Sequence, residues 1–258
     1  MAEILCPLHK SLRNILTSYI TLSLLLSMST AALADKNNNN SDDPPPQTRG
    51  SSGGSRGCET QTEASLSSIP HVILLAPTQS YGQTLANSPT FAWFVKDNNS
   101  WQMEFRLYEY DETNKQSILV KEIKDENFKS SSGIMVLSLS NLELLVGQKY
   151  LWQVELVCDA NRPSANPFAI AAMKAVSTPP DLQKQLLQSN NVLIKANLYN
   201  KADLWYNTLE IALSSKNEPP LRELKDSLLE QVATDTKIEL REQTKLVLTN
   251  SKIHQLQR

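Results

Sequence analysis

Short runs in which apolar and polar residues alternate occupy the middle of the chain, between residues 69 and 178. Seven runs show the alternation: 71–76, 90–95, 102–110, 117–123, 133–139, 149–158 and 167–176. Successive side chains of a strand point to opposite faces, so a period of two residues indicates a half-buried β-strand. Turn-forming residues separate the runs, and the second face of several runs is polar. The pattern therefore predicts an antiparallel β-sandwich over 69–178.

The phase of the alternation predicts which side chains the sandwich buries. In the clearest run the apolar phase consists of Tyr150, Trp152, Val154, Leu156 and Cys158. In two earlier runs it consists of Phe91, Trp93 and Val95, and of Met103, Phe105 and Leu107. We expect these three sets to fill the space between the two sheets.

Four aromatic residues lie outside this inward phase and form a candidate ligand surface: Phe94, Trp101, Tyr108 and Tyr110. Aromatic rings provide flat apolar area, and the tyrosine hydroxyl and the indole N–H can hydrogen-bond to a glycan or a peptide. The alternative is that helices from later in the chain pack on this face and cover the rings.

The segment 144–150 resembles the tyrosine corner of immunoglobulin-like and fibronectin-type sandwiches. In that motif a tyrosine near the start of a strand hydrogen-bonds back to the preceding turn. Tyr150 has this place, and Gly147 can adopt an unusual backbone angle just before the strand. The segment therefore favours a sandwich of the immunoglobulin/fibronectin-like type.

After the Pro179-Pro180 pair the period changes from two residues to that of a helix. The helical spacing is plainest at Leu221, Leu224, Leu228 and Val232. Such a stripe is the apolar face of an amphipathic helix, which needs a core to pack against. The pattern predicts a helical cap of three to four helices over 179–258. The expected fold class is α+β, with the β-sandwich first.

Residues 1–34 have the parts of a secretory signal peptide. A start with Lys10 and Arg13 precedes an apolar run at 15–28, and small residues follow at 32 and 34. Cleavage is expected between Ala34 and Asp35. The alternative is an uncleaved membrane anchor, although serine and threonine residues dilute the apolar run. Either version exports the body to the periplasm or the extracellular space, and cleavage leaves no stable membrane insertion.

Residues 35–68 have the composition of a disordered tether. Four consecutive asparagines, three consecutive prolines and a Gly/Ser-rich run lie in this stretch. Such a sequence buries too little apolar surface to offset its chain entropy. We expect a spacer whose prolines favour extended structure and whose Gly/Ser part is flexible.

Composition and charge exclude several functions. The formal net charge of −2 leaves no excess of Lys and Arg to neutralise phosphates, so nucleic acid is not an expected partner. The seven glycines form neither a dinucleotide fingerprint nor a P-loop, and the three histidines are far apart. Outside the signal peptide only His71 and His254 could serve a serine nucleophile as base, and no G-x-S-x-G elbow exists. We therefore predict no catalytic residues, cofactor or metal, and a protein that is not an enzyme.

Two of the three cysteines, Cys58 and Cys158, follow the predicted cleavage site. Exported proteins meet oxidising conditions, so such a pair is expected to form a disulfide. Cys158 shares the apolar phase of its strand, and Cys58 lies at the end of the tether beside Gly57. The bond would fix the end of the tether to the sandwich. The alternative is two separate thiols, with Cys158 filling core space as a small apolar residue.

Six short segments resemble a cyanobacterial family of secreted proteins described as domain of unknown function 928. They are 56–58, 75–77, 89–94, 147–152, 157–159 and the pair 198–199 and 204–206, in the family's order. The resemblance implies export and a body of this architecture, and it implies no activity. The family pattern has a glycine before the Trp205 segment, where this chain has Asp203. The resemblance therefore predicts a different turn between the two helices.

Three functions remain open on the sequence. The first is a non-catalytic binding or interaction module of the cell envelope, whose partner is a protein or a glycan. The second is a hydrolase acting on an envelope polymer through paired carboxylates such as Glu104, Glu109 and Glu155. The third is an accessory domain of a membrane sensor or a secretion system. An enzyme needs a cleft with convergent polar groups, whereas a binding module needs an exposed aromatic patch.

Overall fold

The computed structural model describes residues 50–52, 58, 69–85, 89–139, 142–214 and 218–258. The predicted signal peptide 1–34 and the expected cleavage site between Ala34 and Asp35 lie outside the described residues. Most of the predicted tether also lies outside them. Within the described part of the chain, no helix combines the length and the apolar character that crossing a membrane requires.

Nine strands make up two sheets in the described residues. The strands are β1 (Val72–Leu74), β2 (Gly82–Leu85), β3 (Thr90–Val95), β4 (Gln102–Asp111), β5 (Gln116–Ile123), β6 (Gly133–Ser138), β7 (Lys149–Val157), β8 (Phe168–Val176) and β9 (Ile253–Gln257). One sheet has the order β1-β3-β6-β9 and the other the order β2-β8-β7-β4-β5. All seven predicted runs contain a strand, whereas β2 and β9 have no counterpart among them.

The sheets are mixed, which corrects the prediction of an antiparallel sandwich. β2 runs parallel to β8, with Gly82 opposite Met173, and β9 runs parallel to β6, with Ile134 opposite Ile253. The two parallel strands are the two that the alternation does not predict. β7, β8 and the C-terminal helical segment lie between β6 and β9 along the chain, and parallel neighbours need a long crossover.

The two sheets pack face to face around one apolar core, and the predicted phases are confirmed. The core includes all three predicted inward sets apart from Cys158, which packs against its edge. Its centre is aromatic: the Phe91 and Phe105 ring centroids are 4.9 Å apart, and those of Phe91 and Trp152 are 5.2 Å apart. Edge-to-face and tilted rings of this kind stabilise a core beyond their buried area.

The C-terminal part has five α-helices among its described residues, rather than three to four. They are α1 (Pro180–Gln188), α2 (Val192–Lys201), α3 (Trp205–Ser214), α4 (Pro219–Thr234) and α5 (Arg241–Thr249). Asn191 separates α1 from α2 because its side chain caps the second helix and accepts hydrogen bonds from the amides of Leu193 and Ile194. The segment 179–258 is also not wholly helical, since β9 ends it.

The helices cover the outer face of the four-stranded sheet. Residues of β1, β3 and β6, among them Ile73, Phe94 and Val136, form a second buried cluster with Leu209 and Leu228 of the helices. The apolar second face of these strands explains this layer, because a sheet that is apolar on both faces must be covered twice. The order of layers is helices, four-stranded sheet, five-stranded sheet.

Helix α3 also fixes the end of the sandwich through two adjacent aromatic residues. The Trp205 indole N–H donates to the carbonyl of Leu75 at 2.9 Å. The Tyr206 side chain belongs to the core between the sheets, where its hydroxyl accepts from the Trp152 indole N–H at 2.8 Å. A buried indole N–H needs such a partner.

Residues 50–52, which fall within the predicted tether, form backbone hydrogen bonds with β1. Ser51 forms an antiparallel bridge with Ile73, and the Ser52 amide donates to the Val72 carbonyl at 2.9 Å. The Leu74 amide in turn donates to the Gly50 carbonyl at 2.7 Å. Residues 50–52 therefore pair with the edge of β1, whose amides and carbonyls would otherwise lack backbone partners.

Asp203, in the turn between α2 and α3, has the left-handed φ of 57°. The Asp203 amide donates to the carbonyl of Asn200 at 3.2 Å and the Leu204 amide to that of Tyr199 at 3.0 Å. These are the two bonds of a Schellman motif, which most often has glycine at this position. Asp203 thus adopts a conformation that glycine takes without cost.

Replacing Asp203 by glycine should raise the free energy of unfolding by about 0.5–1 kcal/mol, because glycine has no Cβ to strain a left-handed residue. The gain is reduced because D203G also loses the weak 3.4 Å hydrogen bond that the Asp203 carboxylate accepts from the side-chain amide of Gln83. Urea denaturation of the wild type and D203G measures the change. The control D203A keeps the Cβ and loses the carboxylate, so it should be less stable than D203G. Equal stability of D203A and D203G would contradict the argument.

Candidate functional site

The outer face of the five-stranded sheet carries two of the predicted ligand-surface residues. Every second residue of β4 from Gln102 to Tyr110 is partly exposed, in alternation with buried residues up to Leu107. Tyr108 and Tyr110 lie two residues apart on this outward phase. Opposite Tyr108 are Leu119 on β5 and Leu151 on β7. Opposite Tyr110 are Ser117 and Lys149. We call these two tyrosines and their four cross-strand neighbours the tyrosine face.

Arg106 lies next to Tyr108 on the same outward phase and contacts three carboxylates. Its guanidinium donates to Glu122 at 3.0 Å, to Glu155 at 3.3 Å and to Glu104. The three glutamates come from β5, β7 and β4 itself, because the cross-strand register places Glu122 opposite Arg106 and Glu155 opposite Glu104. The guanidinium thus links three adjacent strands and holds the charged part of this face in one geometry.

The hydrogen bond between Arg106 and Glu122 shifts the pKa of both groups. Burial lowers the pKa of Arg106, but the hydrogen bond to Glu122 and the charge of Glu104 outweigh this and raise it. The hydrogen bond from Arg106 lowers the pKa of Glu122, with a further contribution from Lys124. Burial raises the pKa of Tyr108 against the opposing charge of Arg106, and the three glutamates raise it further. Tyr108 therefore stays a neutral hydrogen-bonding hydroxyl at physiological pH.

A recess of 390 Å³ lies beside Tyr110, between the β4–β5 hairpin and the start of β7. The polar groups that line it include Glu109, Glu112, Gln148 and Lys149. The Lys149 ammonium is paired with Glu112 and lies 4.5 Å from the centroid of the Tyr81 ring. The recess therefore offers both hydrogen-bond donors and acceptors at the end of the tyrosine face.

Local backbone geometry forms the hairpin wall of this recess. The Asp111 carboxylate accepts the amides of Thr113 at 2.8 Å and Asn114 at 3.1 Å. Hydrogen bonds from Asn114, and then from Thr113, lower the pKa of Asp111. Lys115 completes the turn with a left-handed φ of 52°. The Asx turn thus orients the hairpin beside Tyr110.

The other two predicted ligand-surface residues lie elsewhere. Phe94 is 3% exposed and belongs to the cluster between the four-stranded sheet and the helices. Trp101 is half-buried, and its indole N–H donates to the Asp97 carboxylate at 2.7 Å. It precedes β4, so at about 3.3 Å per residue it lies roughly 30 Å along the strand from Tyr110. The structure brings together Tyr108 and Tyr110 alone among the four.

A disulfide joins Cys58 and Cys158, whose Cα atoms are 5.1 Å apart. Cys158 follows the end of β7, where the Asn166 side-chain oxygen accepts the amides of Cys158 at 3.0 Å and Asp159 at 3.1 Å. The Asn166 side-chain Nδ2–H donates to the Glu155 carboxylate at 3.0 Å, which connects this corner to the Arg106 cluster. The predicted bond is therefore confirmed.

The predicted tyrosine corner also forms. The Tyr150 hydroxyl accepts the amide of Leu145 at 2.9 Å, and Gly147 between them has the left-handed φ of 87°. The hydroxyl thus fixes the connection that forms one wall of the recess beside Tyr110. Burial raises the pKa of Tyr150, against the opposing hydrogen bond from Leu145.

A family model described as Domain of Unknown Function (DUF928) matches residues 51–242. The chain belongs to this family. The DUF928 match covers both sheets apart from β9, together with α1 to α4. The resemblance carried by the six short sequence segments is therefore confirmed. No curated protein matches the chain.

One solved structure that matches the DUF928 chain is a superoxide reductase (neelaredoxin) from Ignicoccus hospitalis. The sequence identity is 11%, the match covers 40% of this chain and 78% of the other, and the TM-score is 0.27. A similarity of this size carries no argument about the fold or the chemistry of the DUF928 chain. Within the described residues, no group of three or more His, Cys, Asp and Glu side chains is arranged to hold a metal ion.

Several residues of the site were not predicted from the sequence. Arg106 and Glu122 become neighbours only through the register of β4 on β5. Lys149 shares the outward phase of β7 with Gln153 and Glu155, so the alternation contains a signal for it. Tyr81 lies in the segment before β2, which the alternation does not predict, and no sequence pattern places its ring beside Lys149.

Proposed function

We propose that the protein is an exported, non-catalytic binding module of the cell envelope, acting in the periplasm or the extracellular space. The observation that carries the proposal is the tyrosine face with its adjoining recess. Two aromatic rings on one strand, beside a polar recess of 390 Å³, match what a flat ligand with many hydroxyls requires. A glycan of the envelope is the partner that this chemistry favours, and an envelope protein is the alternative.

The layered architecture supports the choice of this face. The outer face of the four-stranded sheet is apolar and covered by helices, whereas the tyrosine face keeps partly exposed polar and aromatic side chains. The Arg106 cluster stiffens it, and rigid aromatic groups on strands lose little conformational entropy when they bind. A preorganised open face suits binding without turnover.

The same cluster is a poor acid–base pair, which supports a binding role over a hydrolase. A general acid at a glycosidic bond needs a raised pKa. Hydrogen bonds from Arg106 lower the pKa of Glu122, and the guanidinium is already shared among three carboxylates. Glu122 is therefore suited to accepting hydrogen bonds and holding Arg106 in place, and not to donating a proton.

We also assign the sandwich to the immunoglobulin/fibronectin-like type. The tyrosine corner at Tyr150 and the two facing sheets support the assignment. In immunoglobulin-like binding proteins, ligands are often held by loops or sheet faces of a rigid sandwich. The tyrosine face would serve in this way.

Binding is tested with the protein immobilised through its amino terminus and exposed to envelope glycans and envelope proteins in separate assays. Wild-type protein should retain glycan, and the double variant Y108A/Y110A should bind it about tenfold more weakly, since loss of two aromatic contacts is of that order. The control L187A removes a side chain on α1 that is 80% exposed and should bind normally. Equal retention by Y108A/Y110A would rule out the face, and release of sugar products would indicate the hydrolase instead.

Export is tested separately, on protein recovered from the extracytoplasmic fraction of its host. The signal-peptide pattern and the disulfide, a bond typical of oxidising compartments, support it. Mass spectrometry should find an N-terminus near Asp35. An intact Met1 in that fraction would disprove cleavage and leave the anchor, while confinement to the cytoplasm would disprove export.

A further inference from the structure

We propose that Phe168 is a second aromatic contact for the glycan, so that the protein binds an extended chain of linked sugars in preference to a mono- or disaccharide. The proposal rests on the glycan role proposed above for the tyrosine face and specifies the length of the ligand. Phe168 lies on β8 and is 43% exposed. An isolated exposed ring is common on protein surfaces. Phe168 differs because the sheet places it in line with the Arg106 cluster and Tyr108.

The register of β8 on β7 places Phe168 on the outer face of the five-stranded sheet. Phe168 lies opposite Glu155 of β7, and Glu155 lies opposite Glu104 of β4. Ala169 and Ala171, which alternate with the outward residues of β8, are fully buried in the core between the sheets. Since successive residues of a strand point to opposite faces, Phe168 points away from that core. It therefore shares one open surface with the tyrosine face.

The same register gives the separation of the two aromatic contacts. Tyr108 lies opposite Leu151, and Leu151 lies opposite Ala172, which follows Phe168 by four residues. Phe168 is thus two strands across and four residues along from Tyr108. At about 4.8 Å between strands and about 3.3 Å per residue, their Cα atoms are roughly 16 Å apart. A mono- or disaccharide is too short to contact both rings, whereas a longer chain laid diagonally across the strands contacts both.

The side chains between the two rings are suited to the hydroxyl groups of sugars. The three ion pairs of Arg106 use three of its five N–H donors, and each carboxylate of the cluster has about four acceptor positions. Gln153, opposite Arg106 on β7, adds a side-chain amide whose bond to Glu155 is long, at 3.5 Å. A chain that runs from one ring to the other therefore passes both donors and acceptors.

The start of β8 is held in a fixed position relative to the Arg106 cluster. Arg106 donates to one oxygen of the Glu155 carboxylate at 3.3 Å, and Asn166 donates to the other at 3.0 Å. Asn166 is buried, accepts the amide of Cys158 and lies two residues before Phe168. The two aromatic contacts are therefore preorganised, which reduces the entropy lost when a long ligand binds.

The charges between the rings favour a glycan over a protein as the occupant. The centre of a protein–protein interface is ordinarily depleted of charged residues. Here an arginine and three glutamates occupy the interval between Tyr108 and Phe168. A chain rich in hydroxyls can hydrogen-bond to these groups and stack on the rings at either end.

Isothermal titration calorimetry of the full mature chain tests the proposal. The probes are an envelope-glycan hydrolysate separated by size into disaccharides and hexasaccharides. Wild type should bind one hexasaccharide per protein, at least about tenfold more tightly than the disaccharide. F168A should weaken hexasaccharide binding about fivefold to tenfold and leave disaccharide binding at the recess beside Tyr110 unchanged.

Matched variants separate stacking from apolar bulk. F168W keeps a ring and should retain hexasaccharide binding, whereas F168L keeps only apolar volume and should behave like F168A. The control I238A removes a side chain that is 72% exposed just before α5 and should bind both fractions normally. Thermal unfolding of each variant checks that it remains folded.

The outcomes distinguish this proposal from the proposed function. Wild-type affinity of F168A and F168L for the hexasaccharide would overturn the second contact, and two hexasaccharides per protein would overturn the single extended chain. Either result leaves the glycan function standing if Y108A/Y110A still loses binding. Failure of wild type to bind either fraction would overturn both the glycan function and the second contact. Binding of an envelope protein alone, lost in F168A, would assign the face to a protein partner and overturn both as well.

Discussion

Replacing both Cys58 and Cys158 by serine will lower the free energy of unfolding by about 2–5 kcal/mol. The bond closes a loop with a sequence separation of 100 residues. In the chain-entropy account a loop of that length contributes about 4–5 kcal/mol, because it restricts the unfolded chain. All of β1 to β7 lies inside the loop, so the effect acts on the whole sandwich.

Urea denaturation of oxidised wild type, reduced wild type and C58S/C158S measures this effect. Reduced wild type should coincide with the double variant, since both lack the bond. Non-reducing peptide mapping of protein purified without reductant should recover Cys58 and Cys158 in one linked pair of peptides. Identical unfolding midpoints with and without reductant, or recovery of both residues as free thiols, would contradict the prediction.

Replacing Tyr206 by alanine should lower the free energy of unfolding by about 3–5 kcal/mol, because it removes a ring from the core between the sheets. The Tyr206 ring centroid lies 6.4 Å from that of Phe91 and 6.4 Å from that of Trp152. The change would leave a cavity and also an unpaired indole N–H on Trp152. Both effects act where α3 meets the sandwich.

Y206F separates the two contributions, because it keeps the ring and removes only the hydroxyl. We expect it to cost about 1–3 kcal/mol, the penalty of a buried donor without a partner. G82A would disturb the same ring, because the added Cβ would lie 2.8 Å from Cε2 of Tyr206. Calorimetric unfolding of the three variants should rank Y206A as less stable than Y206F. Equal loss in Y206A and Y206F would mean that the ring itself contributes nothing.

The pH dependence of the same residue provides an independent measurement. Burial raises the pKa of Tyr206 above its ordinary range. A raised folded-state pKa stabilises the protein fully below the unfolded value of about 10, and this contribution is lost as the pH rises above it. Stability above about pH 10 should therefore fall less steeply in Y206F than in the wild type. Identical slopes would indicate that the hydroxyl ionises equally well in both states.

The strands that the sequence predicts are those whose apolar phase is long enough to appear locally. Trp93 shares its phase with Phe91 and Val95, and Trp152 shares its phase with Tyr150 and Val154; both tryptophans are fully buried. β2 and β9 lack that pattern: Gly82–Leu85 contains only one large apolar residue, and Ile253–Gln257 has no buried position. The positions of β2 and β9 are determined by residues distant in sequence: Gly82 of β2 packs against Tyr206, and β9 pairs with β6. Local periodicity contains no information about such partners.

The sequence likewise predicts only one part of the candidate site. The outward phase of Tyr108 and Tyr110 follows from alternation alone. The separation of Phe94 from them depends on which sheet each strand joins, and a single sequence does not determine sheet membership. The Arg106 cluster depends on cross-strand register, which a one-residue slip would change completely.

The pairing of β9 with β6 has a consequence for how the protein is made. Synthesis proceeds from the amino terminus, so β6 leaves the ribosome long before Ile253 can pair with Ile134. During that interval the edge of β6 is open, and non-local parallel pairing is intrinsically slow. The four-stranded sheet is therefore completed as a late folding step, and until then its edge is a surface on which chaperones or neighbouring chains can act.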